Sequence, residues 1–502
     1  MAQTGLNRRL SAQDATFLYL EKEEAPMHIG SIAVFDGEVP YDRYVENIAS
    51  KLHLIPRYRQ RVVPAPFNIG HPTWEFDPDF DIARHILPVQ IEPPGTDAQL
   101  IELAGRLFAG KLDRGKPLWE MYLVRGLEGQ RSAAVSKVHH CLVDGVSGIE
   151  LLMVTLDVSP NPPPPPPSQP YQPPPIPDAA RRLLDAVWDS MSARLDRWAE
   201  YQKGLLETAL GGDVGRARSV MRALEVALPY FARPVAKAPF NKPFGGTRKL
   251  ACSEISFAEV RAIRAACGGT VNDVVLAVLG GALGRYLELH GESIEGRVMR
   301  VLTPVNVRRE DERASLGNRI SMLLVEVPVG IRDPVERLHA ITESTDALKR
   351  AHIADGIQWV ADQLGMLPTP LQALLGGLPS PPNTVANMVC TNVPGPMIPL
   401  YTVGHRMLSH YPLIPIAWEM GIGCGVTSYD QKLYFGLMAD EQAAPDVDRL
   451  KEFLDQAYVE LRAAAGVARS DLPQMGVAAQ PRPARRRRAA PIAEQAIAAD
   501  AS

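Results

Sequence analysis

The sequence predicts an α+β protein made of two layered halves joined by a spacer. Three observations predict it. Strand-like runs rich in β-branched residues mix irregularly with helix-like periodicity, the pattern of layered α+β domains. A proline-rich stretch about one third of the way along interrupts both patterns. The 502 residues, 46% hydrophobic and 22% charged, have ordinary globular composition and length enough for two to four domains.

The elements follow in order. Residues 26–36 (PMHIGSIAVFD) read as a strand, and a helix is predicted over 41–53. A second helix is predicted over 96–112, where Leu100, Leu103, Leu107 and Leu112 recur near helical spacing. LWEMYLVRG and SAAVSKVHH read as two strands separated by the charged turn LEGQR. The first half is expected to span residues 1–158.

Residues 159–177 then contain twelve prolines, six of them consecutive at 162–167. Such a run cannot be helix or central strand and is expected to form polyproline II. At ~3.1 Å per residue it would reach ~60 Å as a semi-rigid spacer. The spacer and connecting helices are assigned to 159–240. Within them Leu184, Trp188, Met191, Leu195, Trp198 and Leu205 fall mostly at three- and four-residue steps, an amphipathic helix. Its apolar face is expected to pack in the core or between the halves, with membrane docking as the alternative.

The second half is assigned to 241–466. It has a long helix over 270–290 and strands over 298–307 and 319–328, with no clear internal repeat of the first half. Between Asp362 and Glu419 the only charged residue is Arg406. Prolines at 368, 370, 379, 381 and 382 exclude one long helix there. Burial is the expected use of this stretch, a greasy contact surface the alternative. From Val467 on there are no aromatic residues, and 467–502, with the basic run 485–488, is expected to be a disordered tail.

Composition bounds the function. Lys plus Arg is 53 against 57 Asp plus Glu, so no nucleic-acid partner is expected. The five cysteines (141, 252, 267, 390 and 424) are scattered and never in Cys-x-x-Cys spacing. That argues against a disulfide framework or thiolate zinc site and for a reducing compartment. The opening MAQTGLNRRLSAQDATF has no apolar stretch after its arginines, so no signal peptide is expected. No run of 18 apolar residues exists, so a spanning helix is not expected, and contact with a membrane surface stays open.

The informative segment is SKVHHCLVDGVSG. His139 and His140 end an apolar strand, and Asp144 and Gly145 follow after three residues. Adjacent strand residues point to opposite faces, so only one histidine can enter a given cleft. Gly145 suits a backbone position needing positive φ. No Gly-x-Ser-x-Gly elbow accompanies the histidines, and their spacing is not that of a zinc site. No metal is expected. A neutral imidazole is suited to removing a proton from a hydroxyl near pH 7. The pattern therefore points to a general base activating a bound alcohol or amine, without a covalent enzyme intermediate. Asn272 and Asp273 open the long helix, a position where such residues commonly cap.

HHCLVDG resembles the HHxxxDG motif of the coenzyme A-dependent acyltransferase superfamily. Pro117-Leu118-Trp119 upstream, Asn272-Asp273 at the helix start, LTPVNVR, LGNRIS and TNVPGP follow in order. Together they resemble the bacterial wax ester synthase/diacylglycerol acyltransferase family over roughly residues 10–465. The Asp-Phe-Gly-Trp-Gly motif of the plant branch is missing, and the proline run and arginine tail depart from a typical member. The resemblance implies two chloramphenicol-acetyltransferase-like α/β sandwich domains with an active-site channel between them. His140 would be the general base and His139 supportive. Asp144 would hold local geometry through a salt bridge. Gly145, Asn272 and Asp273 would serve the substrate or oxyanion, and Pro117 and Trp119 would wall the channel. The partners implied are acyl-CoA as substrate, with no cofactor, and diacylglycerol or a fatty alcohol as acceptor. The enzyme would work in the cytoplasm, peripheral to the cell membrane or lipid droplets. An acyltransferase for another lipid or an amine, or a non-catalytic lipid-binding protein of the same fold, are the alternatives.

Overall fold

The computed structural model describes residues 9–142, 151–163, 171–175, 178, 180–189, 191, 192, 195, 202, 235–306, 320–350, 369–377 and 385–470. The first part runs α1 (Ala12–Leu20), β1 (His28–Phe35), α2 (Tyr41–Lys51), β2 (Gln60–Val63), β3 (Thr73–Phe76), β4 (Ile86–Gln90), α3 (Asp97–Ala109), β5 (Trp119–Leu127) and β6 (Arg131–His139). The second runs β7 (Arg248–Ser256), α4 (Phe257–Cys267), α5 (Val271–Leu289), β8 (Val298–Asn306), β9 (Ile320–Pro328) and α6 (Pro334–Arg350). It continues through α7 (Thr369–Gly377), β10 (Met388–Val393), β11 (Tyr401–Thr402), β12 (His405–Leu413), β13 (Ile422–Tyr429), β14 (Lys432–Asp440) and α8 (Val447–Ala464).

The helices begin where their capping chemistry sits. Thr96 and Gln99 form a capping box on α3, and Thr270 and Asp273 form one on α5. Strands β5 and β6 form a hairpin whose connecting turn uses Gly129 at φ 72°.

Two six-stranded sheets result, in the orders β11-β12-β1-β6-β5-β4 and β7-β14-β13-β10-β8-β9. Helix α2 packs on one face of the first sheet and α3 on the other. In the second, α4, α5, α6 and α8 share one core, and α5 is buried almost all round. Each fully buried Val or Leu there is worth about 1.5–3 kcal/mol before entropy is charged against it.

A division of the chain at residue 241 does not divide the sheets. Strand β12 lies beyond it, yet pairs with β1 from Gly30↔Leu413 to Phe35↔Met407. While doing so it crosses over β13 and β14. The crossing is possible because Gly436 lies beneath it, where a Cβ would stand 1.9 Å from the Pro412 carbonyl oxygen. Gly105 of α3 approaches β7 in the same way, with 2.6 Å to the Arg248 carbonyl oxygen. The two sheets are thus locked by backbone-to-backbone contact at glycines.

Two expectations change. The 363–418 stretch divides between uses. Met388, Cys390, Leu400, Met407 and Leu413 are buried, whereas Leu371 and Leu374 on α7 are exposed. The amphipathic helix is present at residues 180–189 and continues at 191, 192 and 195. Its apolar face, however, does not pack inward: Leu184, Trp188, Met191 and Leu195 are all exposed. The physical reason is that its polar side is the one bound to the body, through Arg182–Glu75 and Asp189–Arg9, both 2.7 Å. Residues 164–167 of the consecutive-proline run, Trp198, Leu205 and the tail beyond Ser470 lie outside the described residues. Among the described residues no single helix is long and apolar enough to cross a membrane.

Candidate active site

The end of β6 carries the site. Strand alternation sends His139 to the α3 side of the sheet and His140 to the other, as the adjacency of the two requires. The His140 N–H donates to the Met27 carbonyl at 2.8 Å, which extends the β1–β6 ladder one residue past the strand. Its half-buried ring stacks on Phe17 of α1, with centroids 3.9 Å apart and planes 10° from parallel. The strand fixes where this imidazole starts, and the phenyl ring fixes its plane.

His139 is buried and held from both ends. Its Nδ1 accepts the Cys141 N–H at 3.1 Å, which places the ring proton on Nε2, 3.4 Å from Glu21 Oε1. Directly across the ladder stands His28, ring centroids 6.0 Å apart. The Leu112 N–H (3.3 Å) and Glu21 Oε1 (3.4 Å) both face His28 Nε2. That nitrogen cannot accept from one and donate to the other; the Leu112 N–H meets it in hydrogen-bond geometry, and burial pushes the His28 pKa down to about 4. His28 is therefore neutral, with its Nε2 an acceptor. Burial alone would raise the Glu21 carboxyl. The hydrogen bond from His139 Nε2–H and the Arg114 guanidinium (2.8 Å) outweigh burial and hold it below the usual carboxylate range. Glu21, His28 and Phe17 were not among the residues expected from sequence. Only the doublet His28/His139 had a signal there, and it required the strand register.

Other expected residues fall as follows. Asp144 and Gly145 lie outside the described residues. Asp273 is not a substrate ligand. Its fully buried carboxylate accepts from the Thr270 N–H (2.7 Å), Thr270 Oγ1 (2.8 Å) and Thr345 Oγ1 (2.8 Å), and it can donate nothing to an oxyanion. Because Thr270 and Asp273 form the cap between them, Asn272 is spared that task. It is half-buried on the first turn, and among the described residues nothing takes its amide. Trp119 is 0% exposed, so it walls no channel. Its indole N–H donates to the Tyr58 carbonyl at 2.8 Å and its ring stacks on His85, making it a core residue, with Pro117 buried beside it.

Cys141, beside His140, is packed among Leu10, Ala15, Leu18, Val62, Trp74 and Leu118. Burial pushes its thiol well above the usual range, so it holds no thiolate at neutral pH. Among the described residues no group of three His, Cys, Asp or Glu side chains could hold a metal. What remains is an imidazole with a fixed plane, backed by a neutral and ion-paired buried layer. That arrangement can accept a proton from a bound hydroxyl.

Residues 10–275 match the family model of the wax ester synthase/diacylglycerol acyltransferase catalytic domain, and residues 316–462 that of the WS/DGAT C-terminal domain. The chain belongs to this family. A probable diacylglycerol O-acyltransferase of Mycobacterium tuberculosis is 30% identical over 461 residues, 90% of this chain and 95% of that protein. Among solved structures, the wax ester synthase/diacylglycerol acyltransferase from Marinobacter aquaeolei VT8 superposes with a TM-score of 0.64 at 24% identity, covering 91% of this chain and 100% of that one. The first condensation domain of the calcium-dependent antibiotic synthetase gives 0.55 at 14% identity, covering 92% and 98%, or 0.56 and 97% of that chain with a substrate analogue bound. At these identities the structural likenesses show the fold, two α/β domains of the chloramphenicol-acetyltransferase type. The family model and the curated relative make the chain an acyltransferase.

Proposed function

We propose that this WS/DGAT member transfers a long-chain acyl group from acyl-CoA to the hydroxyl of diacylglycerol, forming triacylglycerol, and to long-chain alcohols, forming wax esters. The observation that carries the mechanism is the His140–Phe17 stack beside a buried, protonated Cys141. A base is in place and the nearest candidate nucleophile is not competent. His140 takes the hydroxyl proton as the oxygen attacks the thioester carbonyl. The tetrahedral oxyanion that forms is served by the Asn272 amide and the free N–H groups at the start of α5. Its collapse breaks the C–S bond, and the imidazolium returns the proton to the leaving coenzyme A sulfur. No cofactor takes part, since acyl-CoA is itself the substrate.

The protein works from the cytoplasm, peripheral to the membrane in which its acceptor resides. The test is a panel of acyl-CoAs against diacylglycerol, fatty alcohols and amines, with free thiol and products both measured. Thiol release matched by triacylglycerol or wax ester supports the reading. Thiol release without acceptor would make it a hydrolase, and no release from any acyl-CoA would make it a binding protein.

A further inference from the structure

The supports of the His140 ring converge on one side chain outside the motif. Glu21 closes α1, and its own N–H donates to the Phe17 carbonyl at 3.1 Å, the last bond of the turn that carries the stacking phenyl ring. The carboxylate reaches past the end of the helix. Its Oε1 accepts the Met27 N–H at 3.3 Å, and the Met27 carbonyl is the acceptor of the His140 N–H. Glu21 thus touches both residues that hold His140, Phe17 by its backbone and Met27 by its side chain. Its Oε2 accepts from Arg114, whose same Nη2 donates to the Leu18 carbonyl at 2.9 Å and fastens the last turn of α1 to the carboxylate.

The loop between Glu21 and Met27 has little freedom left. Lys22 and Ala25 exchange backbone hydrogen bonds of 3.3 and 3.2 Å, and Arg248 of β7 donates to the Glu24 carbonyl at 2.7 Å. Arg248 is itself paired with the fully buried Asp440 at 3.1 Å. The loop is therefore tied at Glu21 to the end of β6 and at Glu24 to the second sheet. A carboxylate whose side chain is 2% exposed costs free energy that an apolar residue of the same volume would not. Packing alone does not call for a charge here. What the carboxylate supplies is two oxygens for donors arriving from three segments: the Met27 backbone, His139 on β6 at 3.4 Å, and Arg114 between α3 and β5.

We infer that Glu21 is a positioning residue for the acyl transfer: it fixes α1 and the 21–27 loop against the end of β6, and through Phe17 and Met27 it sets the plane and place of the His140 ring. The inference rests on the proposed function in taking His140 as the base. Glu21 is too deeply buried to meet substrate, so its loss acts on the rate of proton transfer and not on binding.

The test is Glu21→Gln, which keeps the size but offers one acceptor oxygen to three donors. With octanoyl-CoA and hexanol, kcat should fall about three- to thirtyfold while each KM stays within about twofold. The double variant Phe17→Ala/Glu21→Gln should lose less than the product of the two single losses, because both act on one ring. A second readout needs no turnover. In protein labelled with 13C-histidine, the His140 ring signal is the one missing in His140→Ala. It should lie upfield under the ring current of Phe17, and in Glu21→Gln it should move toward its position in Phe17→Ala. If Glu21→Gln does not fold, Arg114→Met takes its place with the same directions expected, since this half-exposed side chain is the outer donor to the same carboxylate. Wild-type kcat in the folded variant, losses that multiply, a rise in KM that accounts for the whole defect, or an unmoved His140 signal each overturn the positioning role. If the wild type turns over no acyl-CoA, or His140→Ala is fully active, the proposed function fails instead, and the ring signal alone judges Glu21.

Discussion

Replacing Phe17 with Ala should lower kcat while leaving the protein folded. The phenyl ring lies 3.9 Å from the His140 imidazole and nearly parallel to it. Its loss removes an aromatic stack worth about 0.5–1.5 kcal/mol and frees two side-chain torsions of the histidine, about 0.5–1 kcal/mol more. If the ring is held for proton transfer, about 1–2 kcal/mol of this appears in the barrier, about five- to thirty-fold in kcat. Phe17 is only half-buried, so the melting temperature should move by a few degrees. The assay is coenzyme A release with a saturating alcohol, and Phe17→Leu and Phe17→Tyr complete the series. Tyr retains the stack and should restore most of kcat, whereas Leu fills volume without a ring and should restore little. A structural role alone would give the opposite order, with stability and kcat falling together and Leu rescuing both. Wild-type kcat in the Ala variant would refute the positioning role.

His140→Ala should cost about 10²–10⁴-fold in turnover with the fold intact, and wild-type-like turnover would remove it from the mechanism. His139→Ala should instead act mainly on stability, because it strips the Glu21 carboxylate of a buried partner; a larger kcat loss there than in His140→Ala would reverse the roles. His28 makes stability pH-dependent. Its folded pKa of about 4 lies below the unfolded value, so the unfolded chain takes up protons first as pH falls below about 6.5, and stability is lost on acidification toward pH 4. Urea unfolding at pH 7 and pH 5 should differ by about 2 kcal/mol from this group, and His28→Gln should remove that part of the difference. An unchanged difference would place the titration elsewhere. Intact-mass measurement after mixing with acyl-CoA alone should show no acyl adduct, and an adduct lost in Cys141→Ala would overturn direct transfer.

Much of the frame was legible in the sequence because it rests on local signals. The long α5 helix was bounded by a Thr that caps it and by the end of its apolar run, and the β5–β6 hairpin by a charged turn. The opposite facing of His139 and His140 followed from strand pleating alone. What was not legible depends on direction or on distant pairing. Helical spacing shows that Leu184, Trp188, Met191 and Leu195 share a face, but which way it points is set by Arg9 and Glu75, more than 100 residues earlier. Trp119 resembles a cleft wall until Tyr58 is seen to supply an acceptor for its N–H inside the core. Phe17 and Glu21 stand in a segment with no motif of its own and reach the site only because α1 folds over the end of β6.

The pairing of β12 with β1 also constrains how the chain is made. Gly30 and Leu413 are partners, so about 380 residues must be synthesised between them. At roughly 5–20 residues per second that takes about 20–75 s, during which the outer edge of β1 has no strand beside it. The exposed edge carries Ile32, Ala33, Val34 and Phe35, a short apolar template open to any other extended chain. A fragment ending at residue 275 would contain both active-site histidines and the whole match to the catalytic-domain model, yet keep that edge bare for good. Such a fragment should be recovered as aggregate, and adding residues 276–470 as a separate chain should return it to solution only if β12 can still reach its partner before another copy does.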